Sequence, residues 1–150
     1  MRFVDALVAA VPTRAKHDFV QHAERSTEIF IRHGAVDVVW CWGVDVTEGE
    51  RTSFPRAVEC GADETVVMAW VIWPSADARA QGMARAFGDP NMQPNVNPLP
   101  YDGPRAIYGT FEALVETVEA ASPSESPASS ERGLSASVCG VEKRAAGPRT

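Results

Sequence analysis

Four stretches of the chain are rich in valine, tryptophan and other residues that favour strands. They cover residues 3–11, 35–44, 64–73 and 105–115. Side chains that are branched at Cβ or aromatic pack well on the pleated surface of a sheet. Proline follows the first and the third stretch, at Pro12 and Pro74, and would stop each strand there. The pattern predicts four β-strands.

Two longer segments carry apolar residues at helical spacing. The first begins with Thr13 as a cap and ends before Gly34, a typical residue just past a helix end. Its apolar positions are Phe19, Ala23, Phe30 and Ile31. The second begins at Ser75 with Asp77 in its first turn, and its predicted inner face consists of Ala80, Met83, Ala84 and Phe87. The order βαββαβ predicts a ferredoxin-like α+β domain, with two helices on one face of a four-stranded antiparallel sheet.

The second and third predicted strands are apolar on both faces. In the third strand, one face holds Val67, Ala69, Val71 and Trp73, and the other holds Val66, Met68, Trp70 and Ile72. An antiparallel sheet covered by helices on one side usually presents polar residues on the other. Two helices cover only one face, so the sequence predicts a homodimer in which a second copy covers the other. The alternative is a monomer with an exposed apolar patch.

The composition changes sharply after the fourth predicted strand. All aromatic residues lie between Phe3 and Phe111, whereas residues 119–150 are rich in serine, alanine, proline and glycine. A segment of this composition cannot bury enough apolar surface to offset the entropy lost on ordering. The sequence therefore predicts one domain over residues 1–118 and a disordered tail over residues 119–150.

Charge and hydropathy narrow the classes of partner. The chain has 20 acidic and 14 basic residues, a formal net charge of −6, which opposes binding to the phosphates of nucleic acid. Its longest uncharged apolar stretch, residues 65–76, contains Pro74 and is shorter than the roughly 18–20 residues that cross a bilayer. Asp5 interrupts the early apolar run, which argues against a secretory signal. We expect a cytoplasmic protein that binds neither nucleic acid nor membrane.

Residues typical of cofactor, metal or nucleophile sites do not form the necessary patterns. The three cysteines include no C-x-x-C pair, and Cys41 and Cys60 have no basic neighbour that would activate them. His17, His22 and His33 all fall on the first predicted helix, with no pair four residues apart. No glycine-rich loop joins a strand to a helix. We therefore expect no metal site and no cofactor.

Several short motifs occur together in order. They are CWG at 41–43, FPRAV at 54–58, DETVV at 63–67, WPS at 73–75, GM at 82–83, DP at 89–90, and DG, R, IYG and F across 102–111. With these motifs the chain resembles, over about residues 1–117, the YbaA-like family of bacterial proteins. That family belongs to the dimeric α/β-barrel superfamily of ferredoxin-like folds. The superfamily includes cofactor-independent monooxygenases, haem-degrading enzymes and non-catalytic stress proteins, so the resemblance implies a fold and a dimer but no single chemistry.

Aromatic and charged residues near the strand ends form the candidate site. They are Asp5, Trp42, Asp45, Arg56, Trp70, Arg79, Asp102, Arg105 and Tyr108. Residues 88–104 form a loop long enough to cover a binding cleft. Tryptophans on a sheet with a few charges at the mouth would suit a small planar or carboxylate-bearing ligand. In the alternative, the tryptophans fill the core or a dimer interface, and Arg56 and Arg105 pair with Asp45 and Asp102.

Three of these residues have expected roles. Tyr108 would donate a hydrogen bond to the ligand, and Arg105 would anchor the rim of the loop. Asp5 would act as a base if burial raised its pKa, and otherwise would be a solvent-facing edge residue. The sequence thus favours a dimer that binds a small organic molecule, an arrangement that would also allow catalysis without a cofactor. The alternative is a non-catalytic structural or stress-associated dimer.

Overall fold

The computed structural model describes residues 1–117 of the chain. Met1–Glu116 forms one compact unit. The predicted tail, residues 119–150, lies outside the described residues. No helix within residues 1–117 has the length and apolarity needed to cross a bilayer.

The described unit is a four-stranded antiparallel sheet with helices. The strands are β1 (Phe3–Pro12), β2 (Asp37–Trp42), β3 (Glu64–Trp73) and β4 (Ile107–Glu112). The helices are α1 (Lys16–Arg32), the short α2 (Phe54–Ala57) and α3 (Ala76–Gly88). The strand order across the sheet is β2-β3-β1-β4, and every neighbouring pair is antiparallel. The prediction of an α+β domain built on such a sheet is confirmed.

Local chemistry explains where several elements begin and end. The Ser75 hydroxyl accepts a hydrogen bond from the backbone N–H of Ala78 at 3.1 Å and so caps α3. Gly34 follows α1 with φ of +105°, a conformation that favours glycine. β4 begins at Ile107 rather than at the predicted Arg105, because Pro104 lies in a 3₁₀ turn over Gly103–Arg105.

Helices α1 and α3 cover one face of the sheet, which we call the inner face. From α1, Phe19 packs against Leu7 and Val67, and Ile29 and Phe30 pack in a cluster with β3. The face of α3 that is buried differs from the prediction. It consists of Gly82 and Ala86, whereas Ala80, Ala84 and Phe87 are exposed. The rotation follows from the buried Trp73 ring, which occupies the space where a Cβ of Gly82 would stand.

The opposite face of the sheet, which we call the outer face, is apolar and only partly covered. It carries Val4, Ala6, Val39, Cys41, Met68, Trp70, Ile72, Ile107 and Phe111, none of which is fully buried. Val58, which follows α2, packs on one end of this face with Val8, Ala10 and Val66. The remainder of the outer face therefore has apolar side chains in contact with solvent in a single chain.

Candidate functional site

A cavity of about 300 Å³ lies between the inner face of the sheet, helices α1 and α3, and residues 89–106, which we call the covering loop. Most of its wall is apolar and consists of Leu7, Phe30, Trp40, Ala69, Val71, Met83, Phe87, Met92 and Leu99. Its polar side chains are those of Asp5, His22, Ser26, Gln93, Asn97, Tyr101 and Tyr108. Pockets that hold small ligands have volumes of roughly 300–1,000 Å³ and this kind of lining. The cavity lies where the sequence predicts a covered cleft.

Part of this space is left open because one inner-face residue of the sheet, Ala69, has a small side chain. Ala69, on the central strand β3, is buried and points toward the loop from the same face as Val71. At the mouth, Phe87, Leu99 and Tyr108 are each more than half exposed. Apolar side chains at an opening are a feature of surfaces that receive ligands. The cavity is therefore reached through an apolar entrance.

His22 is the polar centre of the cavity wall. Its Nδ1 lies 3.0 Å from Oδ1 of Asn97, a residue of the covering loop, and its Nε2 lies 3.4 Å from the Ser26 hydroxyl. The Asn97 amide nitrogen donates to the Ser26 hydroxyl at 3.0 Å, which directs Oδ1 of Asn97 toward His22. We therefore assign the ring proton to Nδ1, which leaves the lone pair on Nε2.

His22 is held in its neutral form by its surroundings. Burial lowers the pKa of His22, and the neighbouring Arg25 acts in the same direction, while the Asn97 side chain and the Pro98 backbone oppose the change because they favour a protonated ring. The rings of Trp40 and Tyr101 meet the imidazole edge to face, with centroids at 5.6 and 6.2 Å. The imidazole is thus fixed in orientation and uncharged at neutral pH.

Two tyrosines line the cavity close to one another. Burial raises the pKa of Tyr101, and the nearby Tyr108 hydroxyl contributes to the same effect. Tyr108 lies on the inner face opposite Leu7 in the sheet register, and its ring is largely exposed at the mouth. The phenol of Tyr101 therefore stays protonated at neutral pH, and the hydroxyl of Tyr108 lies beside it. This position of Tyr108 is compatible with the hydrogen-bonding role expected for it.

Asp5 lines the cavity but is fully engaged by donors. Its carboxylate accepts hydrogen bonds from Nε of Arg79 at 2.9 Å, from the Trp73 indole at 2.9 Å and from the Thr110 hydroxyl at 2.6 Å. Arg79 Nη2 also lies 2.7 Å from Oδ1 of Asp5. These contacts favour a fixed carboxylate, so the structure assigns Asp5 to an ion pair rather than to the role of a free base. Arg79 is correspondingly the partner of Asp5 and does not face the ligand space.

The two ends of the covering loop are fastened by ion pairs. At its start, Asp89 contacts His33 at 2.9 Å and Arg32 at 3.3 Å, and the hydrogen bond from His33 is the main cause of a lowered pKa for Asp89. At its end, Arg105 forms two 2.8 Å hydrogen bonds with Glu64. This pairing lowers the pKa of Glu64 from 4.5 to about 2. The loop is therefore held as an ordered cover over the cavity.

Arg105 also binds Asp102 at 3.0 Å and the Glu59 carbonyl at 2.9 Å. These contacts lie outside the cavity wall, so Arg105 and Asp102 anchor the loop, as expected for Arg105. The expected pair of Arg56 and Asp45 does not form. Arg56 instead lies 3.7 Å from Glu48, on the segment between β2 and α2.

The tryptophans do not gather around one cleft. Trp70 lies on the outer face, because it is three residues from Trp73 and successive strand side chains alternate. Trp42 packs against Phe19 at the edge of the sheet, with the Lys16 ammonium 5.4 Å from its ring. Only Trp40 of the four contributes to the cavity wall, within the described residues. The expected lining by Trp42 and Trp70 is therefore replaced by methionine, phenylalanine and tyrosine.

His22, Asn97 and Tyr101 were not among the residues expected to bind a ligand. The sequence does carry one signal for them, because His22 and Ser26 lie one helical turn apart on the same face as Phe19 and Ala23. Two polar residues on the buried face of an amphipathic helix indicate a polar site beneath it. In residues 1–117, no group of three or more His, Cys, Asp or Glu side chains is arranged to hold a metal ion.

Comparisons with known proteins identify relatives of this chain. The uncharacterized protein YbaA of Escherichia coli K12 is 35% identical over 116 residues, which cover 77% of this chain and 99% of that protein. The protein of the same name from Shigella flexneri matches equally. A solved structure of a SnoaB variant, a cofactor-independent oxygenase from Streptomyces nogalater, is 18% identical with a TM-score of 0.43, over 79% of this chain and 97% of SnoaB. Residues 2–103 match the family described as Protein of unknown function (DUF1428). The chain therefore belongs to the DUF1428 family, together with YbaA.

Proposed function

We propose that this protein binds a small, largely apolar organic molecule in the cavity beneath the covering loop. The cavity of about 300 Å³ between sheet, helices and loop is the observation that carries the proposal. A ligand in this cavity would make van der Waals contacts with a mostly apolar wall on several sides. A reaction without a cofactor would use the same cavity.

The polar groups of the cavity would orient such a ligand. Apolar contacts with Phe30, Val71 and Met83 supply affinity, since about 25 cal/mol is gained per Å² of apolar surface removed from water. His22 and Tyr108 supply directional hydrogen bonds at two places on the wall. Affinity from apolar walls and orientation from a few polar groups is the usual division in small-molecule sites.

We also propose that the domain is ferredoxin-like and forms a dimeric α/β barrel through its outer face. Trp70, Met68 and Phe111 are apolar side chains that remain accessible in one chain, and a second copy would offer the same surface in return. Such a two-fold contact is self-complementary, and aromatic residues and methionine are enriched in the cores of interfaces. Because the cavity lies on the inner face, dimerisation would leave its mouth unobstructed by the sheet.

Sedimentation equilibrium of the full chain tests the dimer. We expect twice the chain mass at micromolar concentration, and the monomer mass after Trp70→Glu, which places a charge in the contact. Val20→Glu is the matched control, because Val20 is an exposed apolar residue of α1 on the other side of the sheet. A monomeric wild-type chain would refute the dimer.

The free thiols of Cys41 and Cys60 agree with a reducing compartment, and we propose a cytoplasmic location on that basis. The test expresses the chain in the cytoplasm and in the periplasm. The oxidation state of these thiols and the yield of folded protein are then compared between the two. Folded protein recovered only from the periplasm would contradict the proposal.

Ligand binding is tested by nuclear magnetic resonance titration of the isotope-labelled full chain. The panel contains thymol, quinols, aromatic acids, flavin and haem. We expect at least one compound to shift amide signals of cavity residues such as Ala69 and Val71. Met83→Trp would fill the cavity from α3 and abolish the shifts, whereas Ala84→Trp, on the exposed side of the next position, would preserve them.

Two results would count against binding. Either no compound shifts the cavity signals, or the shifts survive in Met83→Trp. The first result would favour the alternative of a dimer with a purely structural role. The outer face with Trp70 would then be the surface that carries that role.

A further inference from the structure

We propose that the ligand of this cavity is a neutral, largely apolar molecule with a hydroxyl group, and that this hydroxyl donates a hydrogen bond to Nε2 of His22. The inference rests on the proposed function, because it assigns a ligand class to the same cavity. It makes His22 the residue that determines specificity.

The hydrogen-bond network around His22 leaves Nε2 available as an acceptor. Nδ1 is committed to Asn97 at 3.0 Å, whereas the Ser26 hydroxyl stands 3.4 Å from Nε2, beyond the usual range for a strong bond. The Ser26 hydroxyl also has Met92 Sδ at 4.0 Å as a second acceptor. A ligand hydroxyl at Nε2 would therefore complete a weakly satisfied group without displacing a strong contact.

The imidazole is also fixed before the ligand arrives. The edge-to-face contacts with Trp40 and Tyr101 and the bond to Asn97 hold the ring from three directions. An acceptor that is already oriented costs little entropy when the hydrogen bond forms. This preorganisation allows one hydroxyl to be selected by position as well as by chemistry.

The charges on the wall favour a neutral ligand and oppose the carboxylate-bearing ligand that the sequence allowed. Within residues 1–117, no lysine or arginine belongs to the cavity wall, and Asp5 contributes a carboxylate. The nearby Arg79 is already bound by that carboxylate through Nε and Nη2. A carboxylate in the cavity would lose its hydration without gaining a cation, which is strongly unfavourable.

The test compares three probes that share an isopropyl-substituted benzene ring. Thymol has the hydroxyl, thymol methyl ether cannot donate a hydrogen bond, and cuminate carries a carboxylate on a similar ring. Dissociation constants are measured by titration of the full chain. We expect cuminate to bind at least about tenfold more weakly than thymol, because a buried charge is left unpaired. Equal binding of cuminate would overturn the assignment of a neutral ligand.

Two variants isolate the acceptor atom. His22→Asn keeps a donor near Nδ1 for Asn97 but removes the acceptor at Nε2, and His22→Gln keeps an acceptor near Nε2 instead. The ratio of the constants for the ether and for thymol is compared between each variant and the wild type, which cancels the different hydration of the two probes. We expect the preference for thymol to fall by about threefold to tenfold in His22→Asn, the equivalent of one hydrogen bond, and to persist in His22→Gln.

A spectroscopic readout supports the same test in the wild-type chain, even where a variant fails to fold. Thymol should shift the nitrogen resonance of the unprotonated Nε2 of His22, whereas the ether should not. An unchanged preference in folded His22→Asn, or equal effects of both probes on the Nε2 resonance, would overturn this inference. If both probes still shift the cavity amides, the proposed function stands; if neither does, the proposed function fails as well.

Discussion

Asp5→Asn should destabilise the domain far more than the same change at an exposed ion pair. The substitution preserves shape but replaces one carboxylate oxygen with an amide that presents N–H groups to the donors of Arg79 and Trp73. The side chains of Asp5 and Arg79 are only 14% and 29% exposed, so water can replace the lost pairing only in part. The contrast concerns Asp102, whose side chain is 49% exposed and pairs with Arg105.

The size of the effect follows from the partial burial of the pair. Removing one partner of a buried ion pair costs about 3–5 kcal/mol, and exposed pairs contribute about 0–1 kcal/mol. The exposure of Arg79 places Asp5→Asn at about 2–4 kcal/mol, and Asp102→Asn at less than about 1 kcal/mol. Because small domains have a total stability of about 5–15 kcal/mol, most Asp5→Asn molecules should still fold.

Urea unfolding monitored by tryptophan fluorescence measures both variants. Protein concentration is held constant, because dissociation of a dimer would contribute to the free energy of unfolding. We expect a lower midpoint for Asp5→Asn at an unchanged slope. A double-mutant cycle with Arg79→Met then isolates the coupling between the two side chains. The reasoning would be refuted if Asp5→Asn cost no more than Asp102→Asn, or if the coupling were below about 0.5 kcal/mol.

Three further predictions concern α3 and two titrating side chains. Gly82→Ala should destabilise the domain by about 1–3 kcal/mol despite the higher helix propensity of alanine, because a Cβ would lie 2.6 Å from Cη2 of Trp73 and 2.7 Å from the His33 carbonyl. Gly88→Ala is the control and should be tolerated, since nothing lies within 4 Å of its Cβ, and equal unfolding midpoints of the two variants would contradict this reasoning. Because the pKa of His22 is lowered in the folded chain, the unfolded chain binds more protons once the pH falls below the ordinary histidine value of 6.5. The free energy of unfolding should therefore be highest above pH 6.5 and fall on acidification, and urea titrations at several pH values should show a weaker fall in His22→Gln. Glu64, with its pKa lowered from 4.5 to about 2, contributes stability that is present above pH 4.5 and lost as the pH falls toward 2; Glu64→Gln should flatten thermal stability in that interval, and an unchanged profile would count against the pairing with Arg105.

Local chemistry made part of the fold predictable. The third strand was predicted over the residues that it occupies, Glu64–Trp73, because an apolar run between a turn and Pro74 has few other interpretations. Ser75 was predicted to begin α3 and does cap it. Membership of the YbaA-like family was expected from short motifs and is confirmed. In these cases, neighbouring residues carry all the information needed.

The site was harder to predict because it depends on contacts between distant segments. His22 and Asn97 are separated by 75 positions, and no local pattern joins them. The orientation of Trp70 followed from its odd spacing to Trp73, yet the spacing alone could not say which face the helices cover. The sequence predicts Arg105 in the fourth strand, whereas the structure places it in a 3₁₀ turn with Pro104. The hydrogen bonds of Arg105 with Glu64 cannot be seen in the local sequence, because the two residues are 41 positions apart. Pairing across the fold, rather than local propensity, decides these positions.

The location of a bound ligand tests the central claim most directly. A crystal structure of the full chain grown with thymol should place the ring between Phe30, Val71 and Met83, beneath the covering loop. The same structure should place the thymol hydroxyl within about 3 Å of Nε2 of His22. Thymol bound on the outer face or elsewhere on the surface, with the cavity closed by its own side chains, would contradict the account.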